Sequence, residues 1–261
     1  MRQGTVLLVL LAGLMLGGCS DNSDTPDEAG NSKPADFTLA SAVARTWPDA
    51  GDEPDPERLD TQLTRANYMV VLDMSGSMAT PECAGSHESK AHAAKAAMER
   101  WLAGVPDEAN LGLIVFGQQG TSIRTPLGRN NRDPFLEAVH DASPEGGTPL
   151  QSAVAMAHQE LERGARRQRG YGTYRLVVIT DGEHSQGEDP RKEVGRIAGH
   201  PANPIEIHTL GFCIEDSALN QPGTTIYRSA QNPEQLAQGL DSVLAESRTF
   251  VPTKEFAQDD L

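Results

Sequence analysis

Positive charge is scarce in this sequence. Its 22 lysines and arginines face 37 acidic residues, a formal charge of −15 over 261 residues. That balance excludes sequence-independent nucleic-acid binding, which needs clustered basic side chains. It also excludes docking on an anionic lipid surface by charge. Cysteine is equally sparse, with three residues, so the fold cannot lean on a dense disulfide framework. A chain of this length buries enough apolar surface without one. No Walker A string and no G-x-G-x-x-G occurs, which leaves nucleotide binding without a motif. The seven histidines show no zinc spacing. His87 and His92 read as surface residues near the start of a helix. The longest apolar run, residues 6–16, is too short to span a bilayer comfortably.

What is present centres on residues 68–77, Tyr-Met-Val-Val-Leu-Asp-Met-Ser-Gly-Ser. An uninterrupted apolar run suits a strand buried on both faces, as in a parallel sheet. It ends in Asp73, Ser75 and Ser77 on the loop at the strand's carboxyl end, where open α/β sheets place ligands. One carboxylate and two hydroxyls form a hard-oxygen set suited to Mg²⁺, Ca²⁺ or Mn²⁺ rather than zinc or copper. The competing reading is a surface loop whose side chains bond the local backbone. The D-x-S-x-S pattern resembles the opening motif of the von Willebrand factor A (integrin I-like) domain, where it forms part of a metal-ion-dependent adhesion site.

The downstream sequence extends that resemblance. Residues 89–105 have helical apolar periodicity with Lys and Glu on the opposite face. Residues 110–117 read as a second buried strand, 122–127 as an edge strand and 132–142 as a short helix. Next comes Glu145-Gly-Gly-Thr-Pro-Leu-Gln151. Read locally, Thr148 is the N-cap of a helix, with Pro149 in its first position and Gln151 completing a capping box. Read as resemblance, Gly-Gly-Thr-Pro-Leu matches the family's second metal-site segment, which implies a metal-reaching hydroxyl on Thr148. Residues 175–180 form the most strand-like run and deliver Asp181-Gly182. That resembles the third segment, whose aspartate usually reaches the ion through water. Glu183, Glu188 and Asp189 are expected on a solvated loop, with Asp189-Pro190 capping the next helix. Strands at 206–212 and 224–227 and a helix from Asn232-Pro233 complete the alternation. It predicts an α/β, Rossmann-like, doubly wound and mainly parallel sheet with helices on both faces. The resemblance covers residues 67–247.

The amino-terminal segment reads as an export signal over residues 1–18, with Arg2 before the apolar run. Leu-Gly-Gly-Cys19 resembles the lipobox of bacterial lipoproteins, which implies acylation of Cys19. The alternatives are an ordinary secretory signal with a chance cysteine, or a short membrane anchor. Ser20 after the cysteine implies, by the same resemblance, the outer membrane if the source is Gram-negative, with the domain in the periplasm or at the cell surface. Residues 19–35 read as a flexible tether, 36–66 as an acidic, proline-rich extension packed loosely on the core or linked to it, and 248–261 as a polar tail. With Cys19 lipidated, Cys83 and Cys213 remain as two rim cysteines in an oxidising compartment, either disulfide-bonded, the expected state, or free.

The resemblance implies a lipid-anchored protein-binding module of the cell envelope. Its metal set would be Asp73, Ser75, Ser77, Thr148 and Asp181, with Mg²⁺ (Ca²⁺ or Mn²⁺ as alternatives), and its ligand a partner protein's Asp or Glu. Two other readings stay open. One is a metal-dependent hydrolase, for which Glu82, Glu183 and His184 are the nearby candidate bases although no catalytic motif supports them. The other is a metal-independent scaffold.

Overall fold

The computed structural model describes residues 46–48, 59–215 and 217–245. The expected export signal, Cys19, the tether and the tail lie outside them. Six strands of the described residues form one sheet: β1 (Ala66–Asp73), β2 (Asn110–Gly117), β3 (Gly120–Gly128), β4 (Thr173–Thr180), β5 (Ile205–Phe212) and β6 (Ile226–Ala230). Their spatial order is β3-β2-β1-β4-β5-β6. Only β3 runs antiparallel, as the hairpin partner of β2. Within the described residues five helices cover it: α1 (Lys90–Gly104), α2 (Arg132–Asp141), α3 (Leu150–Gln168), α4 (Arg191–Gly199) and α5 (Pro233–Ala245). None of the described helices is long and apolar enough to cross a membrane.

The side-chain alternation of β1 divides the core in two. Tyr68, Val70 and Leu72 point into one layer with Trp101 of α1, Phe135 of α2 and Leu240 of α5. Met69 and Val71 point into the other, with Val154 and Leu161 of α3 and Val194 and Ile197 of α4. The unbroken apolar run of β1 therefore serves two cores at once. Truncating a fully buried leucine in either layer is expected to cost about 2–5 kcal/mol. The described part of the proline-rich extension is packed rather than loose. Trp47 meets Tyr174 edge-on with ring centroids 4.6 Å apart, and Asp60 N–H donates to the Arg167 carbonyl at 3.0 Å.

The topology fixes where a ligand site falls. From β1 the chain moves outward to β2 and β3, then crosses back through α3 to β4 on the other side of β1. The carboxyl ends of β1 and β4 thus flank the point where strand order reverses, the crevice that open α/β sheets use for binding. Cys83, after β1, and Cys213, after β5, form the expected disulfide with a Cα–Cα distance of 5.7 Å. It ties two loops of this same rim.

Candidate metal centre at the sheet switch point

Register brings the first carboxylate into place. β1 pairs with β4 so that Leu72 lies opposite Ile179, which sets Asp73 level with Thr180. Thr180 Oγ1 donates to Asp73 Oδ2 at 2.6 Å, and Ser75 N–H donates to Oδ1 at 2.7 Å. The loop beyond is held down by its methionines. Met74, before the short 3₁₀ turn Gly76–Ala79, and Met78, within it, are fully buried. That anchoring leaves the intervening hydroxyls together, with Ser75 Oγ and Ser77 Oγ 3.1 Å apart. Ser77 Oγ then donates to Asp181 Oδ1 at 2.7 Å. Asp73, Ser75, Ser77 and Asp181 therefore form one connected group across the ends of β1 and β4.

Thr148 arrives on a loop clamped from both sides. Glu145 N–H donates to the Met74 carbonyl at 2.9 Å and Gly76 N–H to the Gly146 carbonyl at 3.0 Å, which binds the loop to the Asp73 turn. On the other side Thr148 N–H donates to Ser185 Oγ at 2.8 Å, and its carbonyl accepts from Ser185 N–H at 2.9 Å. A Cβ at Gly147 would lie 2.6 Å from Ser185 Oγ, so a side chain there would displace the hydroxyl that holds Thr148. Thr148 is buried between the two acid-bearing loops.

The expected capping box is not formed. Pro149 sits at φ −79°, ψ 62°, so α3 begins at Leu150 and no side chain of its own turn caps it. Glu188, from the loop after β4, supplies the acceptors instead. Its carbonyl takes Gln151 N–H at 3.1 Å, and its carboxylate takes Ser152 N–H and Ser152 Oγ, each at 2.8 Å. A carboxylate at a helix N-terminus also complements the helix dipole. Two hydrogen bonds of the Thr148 backbone, one to the Ser185 hydroxyl and one from the Ser185 N–H, hold Thr148 outside the helix, so the local capping pattern yields to tertiary contacts. Asp189 does act as expected at the next helix, accepting Arg191 N–H at 3.0 Å. Its hydrogen bonds from Arg191 hold the carboxyl down at about 2.

The electrostatics call for a cation. Asp73 is fully buried, and burial pushes its carboxyl up to about 6; Asp181 nearby adds to the rise, against the hydrogen bonds from Ser75 and Thr180. Asp181 Oδ2 is buried without a hydrogen bond. What stands beside it is Lys90 Nζ, 2.5 Å away, with only 9% of that side chain exposed. The amphipathic pattern of α1 puts its lysines on the solvent side. Lys90 is instead buried, because as the first residue of the helix it faces the rim. No group of three or more His, Cys, Asp or Glu side chains forms a metal cluster among the described residues. The donor set is therefore two carboxylates with hydroxyls, a hard-oxygen chemistry that fits Mg²⁺ or Mn²⁺.

His184, one of the candidate bases, is engaged within its own loop. His184 Nδ1 is 3.0 Å from the Ser185 carbonyl and its Nε2 is 3.9 Å from Asp189, so it turns towards its own loop rather than to Ser75 or Ser77. Glu82 and Glu183 are exposed.

Residues 68–184 match the family model described as von Willebrand factor type A domain. The chain is 26% identical over 179 residues to the uncharacterized protein YwmC of Bacillus subtilis, covering 63% of this chain and 74% of that protein. Among solved structures it resembles a von Willebrand factor type A protein from Catenulispora acidiphila, with a TM-score of 0.55 and 21% identity. That match covers 70% of this chain and 43% of the other, so the chain spans less than half of that structure. Proximal thread matrix protein 1 from the mussel byssus, solved with a zinc-occupied MIDAS motif, superposes with a TM-score of 0.55 at 14% identity, covering 70% of this chain and 46% of that one. The six-stranded sheet, its helices on both faces and the match over residues 68–184 together give this chain the von Willebrand factor type A fold.

Proposed function

We propose that this chain is a cell-envelope protein-binding module that captures a partner's Asp or Glu through a divalent cation, with Mg²⁺ the expected ion. The observation that carries the reading is the meeting of two buried carboxylates, Asp73 and Asp181, with two serine hydroxyls at the sheet's switch point. Asp73, Ser75, Ser77, Thr148 and Asp181 would hold the ion. A hard cation with few anionic ligands, when bound, neutralises the pocket and keeps affinity for an external carboxylate oxygen. The mussel protein's zinc-occupied motif on a similar fold supports a divalent ion in this position. The protein's own residues supply the rest. Met74 and Met78 fix the serine loop, Ser185 fixes Thr148, and the disulfide braces the rim that a partner would touch.

The partner's approach is opposed at long range by this chain's own net charge of −15, so attraction has to be local to the site. Attachment to the membrane would come from acylation of Cys19, with residues 19–35 as tether; several acyl chains at about 0.8 kcal/mol per buried CH₂ make such an anchor stable. The test is capture from an envelope extract on the immobilised chain in Mg²⁺, in chelator, and with Asp73→Ala. A protein retained only by wild type in Mg²⁺ and released by chelator is the expected result. Equal retention under all three conditions would leave a metal-independent scaffold. Mass spectrometry of the expressed protein, with Cys19→Ala as control, tests the anchor.

A further inference from the structure

We propose that Lys90 is an intramolecular counter-cation that occupies the acidic site when no divalent ion is bound and competes with that ion for Asp181. The inference rests on the metal-site reading above and adds a regulatory residue to it.

Three observations carry it. Lys90 Nζ lies 2.5 Å from Asp181 Oδ2, the one oxygen of that carboxylate that receives no hydrogen bond, while Oδ1 is held by Ser77. The pair is enclosed, the lysine side chain 9% exposed and the aspartate 0%. An ammonium is buried this far only against a specific counter-charge, since desolvation otherwise opposes it. Finally, Lys90 is the first residue of α1, directly after the N-cap Ser89, whose hydroxyl accepts His92 N–H. The helix dipole disfavours a cation there, so the helix does not explain the placement and the rim carboxylate does. Its backbone is pinned as well, with Lys90 N–H donating to the Thr80 carbonyl at 2.9 Å, just past the serine loop. The side chain alone is left to move.

Charge counting then gives the behaviour. Asp73 and Asp181 repel one another in a buried site, and one ammonium answers only half of their combined charge. A divalent ion answers all of it, and the ammonium then becomes a like charge beside the ion. Loading the site with metal therefore requires Lys90 to withdraw. Its four-carbon stem can carry the ammonium to the rim while the methylenes remain packed.

Titration calorimetry of Mg²⁺ and Mn²⁺ into the metal-stripped full chain, wild type against Lys90→Met, tests this directly, with melting temperatures recorded in chelator and in metal. Lys90→Met should bind at least about tenfold more tightly, because the competing charge is gone. It should also melt lower than wild type in chelator, where Asp181 has lost its partner, and recover that loss in metal. Lys90→Arg, which keeps the charge, should bind like wild type or more weakly. Equal affinities for wild type and Lys90→Met would overturn this inference and leave the metal reading standing. Binding by Lys90→Met alone would support the competition and remove the metal reading from the wild-type protein. No binding by either variant would overturn both.

Discussion

The two ends of β1 handle buried polarity in opposite ways. At the amino end Asn67 is fully buried and satisfied by neutral partners. Its amide donates to the Arg65 and Thr173 carbonyls, and its oxygen accepts from Asn110, which also donates to Gln168. Gln168 in turn donates to the Leu63 and Arg65 carbonyls at 2.6 and 3.1 Å. At the carboxyl end Asp73 is just as buried, yet its carboxyl is pushed up to about 6 and its neighbour Asp181 relies on one lysine. A closed network of amides fastens strands and helix together and asks for nothing more. A pair of buried carboxylates answered by a single ammonium leaves room for further positive charge. One strand thus carries a structural knot at one end and the candidate metal centre at the other.

Breaking the comparison at the rim gives the largest stability effect. Replacing both Cys83 and Cys213 with alanine removes a cross-link closing a 130-residue separation, and should lower denaturant-measured stability by about 2–5 kcal/mol. The loss should be the same in chelator and in metal, since neither cysteine belongs to the ion's donor set. At the amino end, Asn110→Ala leaves the Asn67 and Gln168 oxygens without their donor. It should cost about 1–3 kcal/mol in urea unfolding, with divalent-ion affinity unchanged. A shift in affinity there would mean that the two ends are coupled, contrary to the picture of separate roles.

Glu188→Ala sharpens the contrast within the rim. Losing the cap on α3 should cost about 1 kcal/mol, and it frees the loop that braces Thr148, so thermal melting and ion affinity should both fall. The smallest effect belongs to His158, on the face away from both ends. It is 4% exposed, with Glu162 and Glu193 3.6 and 3.4 Å away and Arg196 hydrogen-bonded to Nδ1. Burial, the largest influence, holds its imidazole below the ordinary 6.5, with Arg196 adding to that and the two glutamates opposing it. Because the unfolded chain then binds the proton more readily, stability falls as pH drops from 6.5 towards the folded value. His158→Gln should flatten that slope in melting curves taken between pH 7 and 5.

What the sequence made legible follows the range of the interactions involved. The apolar run of β1, the Asn110–Gly117 strand and the acids at strand ends are local patterns, and they sit in the fold where those patterns put them. The meeting of Asp73 with Asp181 was inferable because both terminate buried parallel strands, and neighbouring strands of that kind end at one rim. Lys90 was not legible, since a lysine after an N-cap looks like any solvent-facing residue until the loop after β4 is placed opposite it. The Thr148–Gln151 box misled for the converse reason. Its local pattern is sound, but Ser185 and Glu188, distant in sequence, make stronger claims on the same backbone groups. Asn67, Asn110 and Gln168 likewise reveal their purpose only in each other's company.

The most direct test of the account is calorimetric titration of Mg²⁺ and Mn²⁺ into metal-stripped wild type and Asp73→Ala, with far-UV circular dichroism showing both folded. The account predicts a single saturable site in wild type, weakened at least about 100-fold in the variant. Folded wild type that binds neither ion, or a variant that binds as well as wild type, would contradict it.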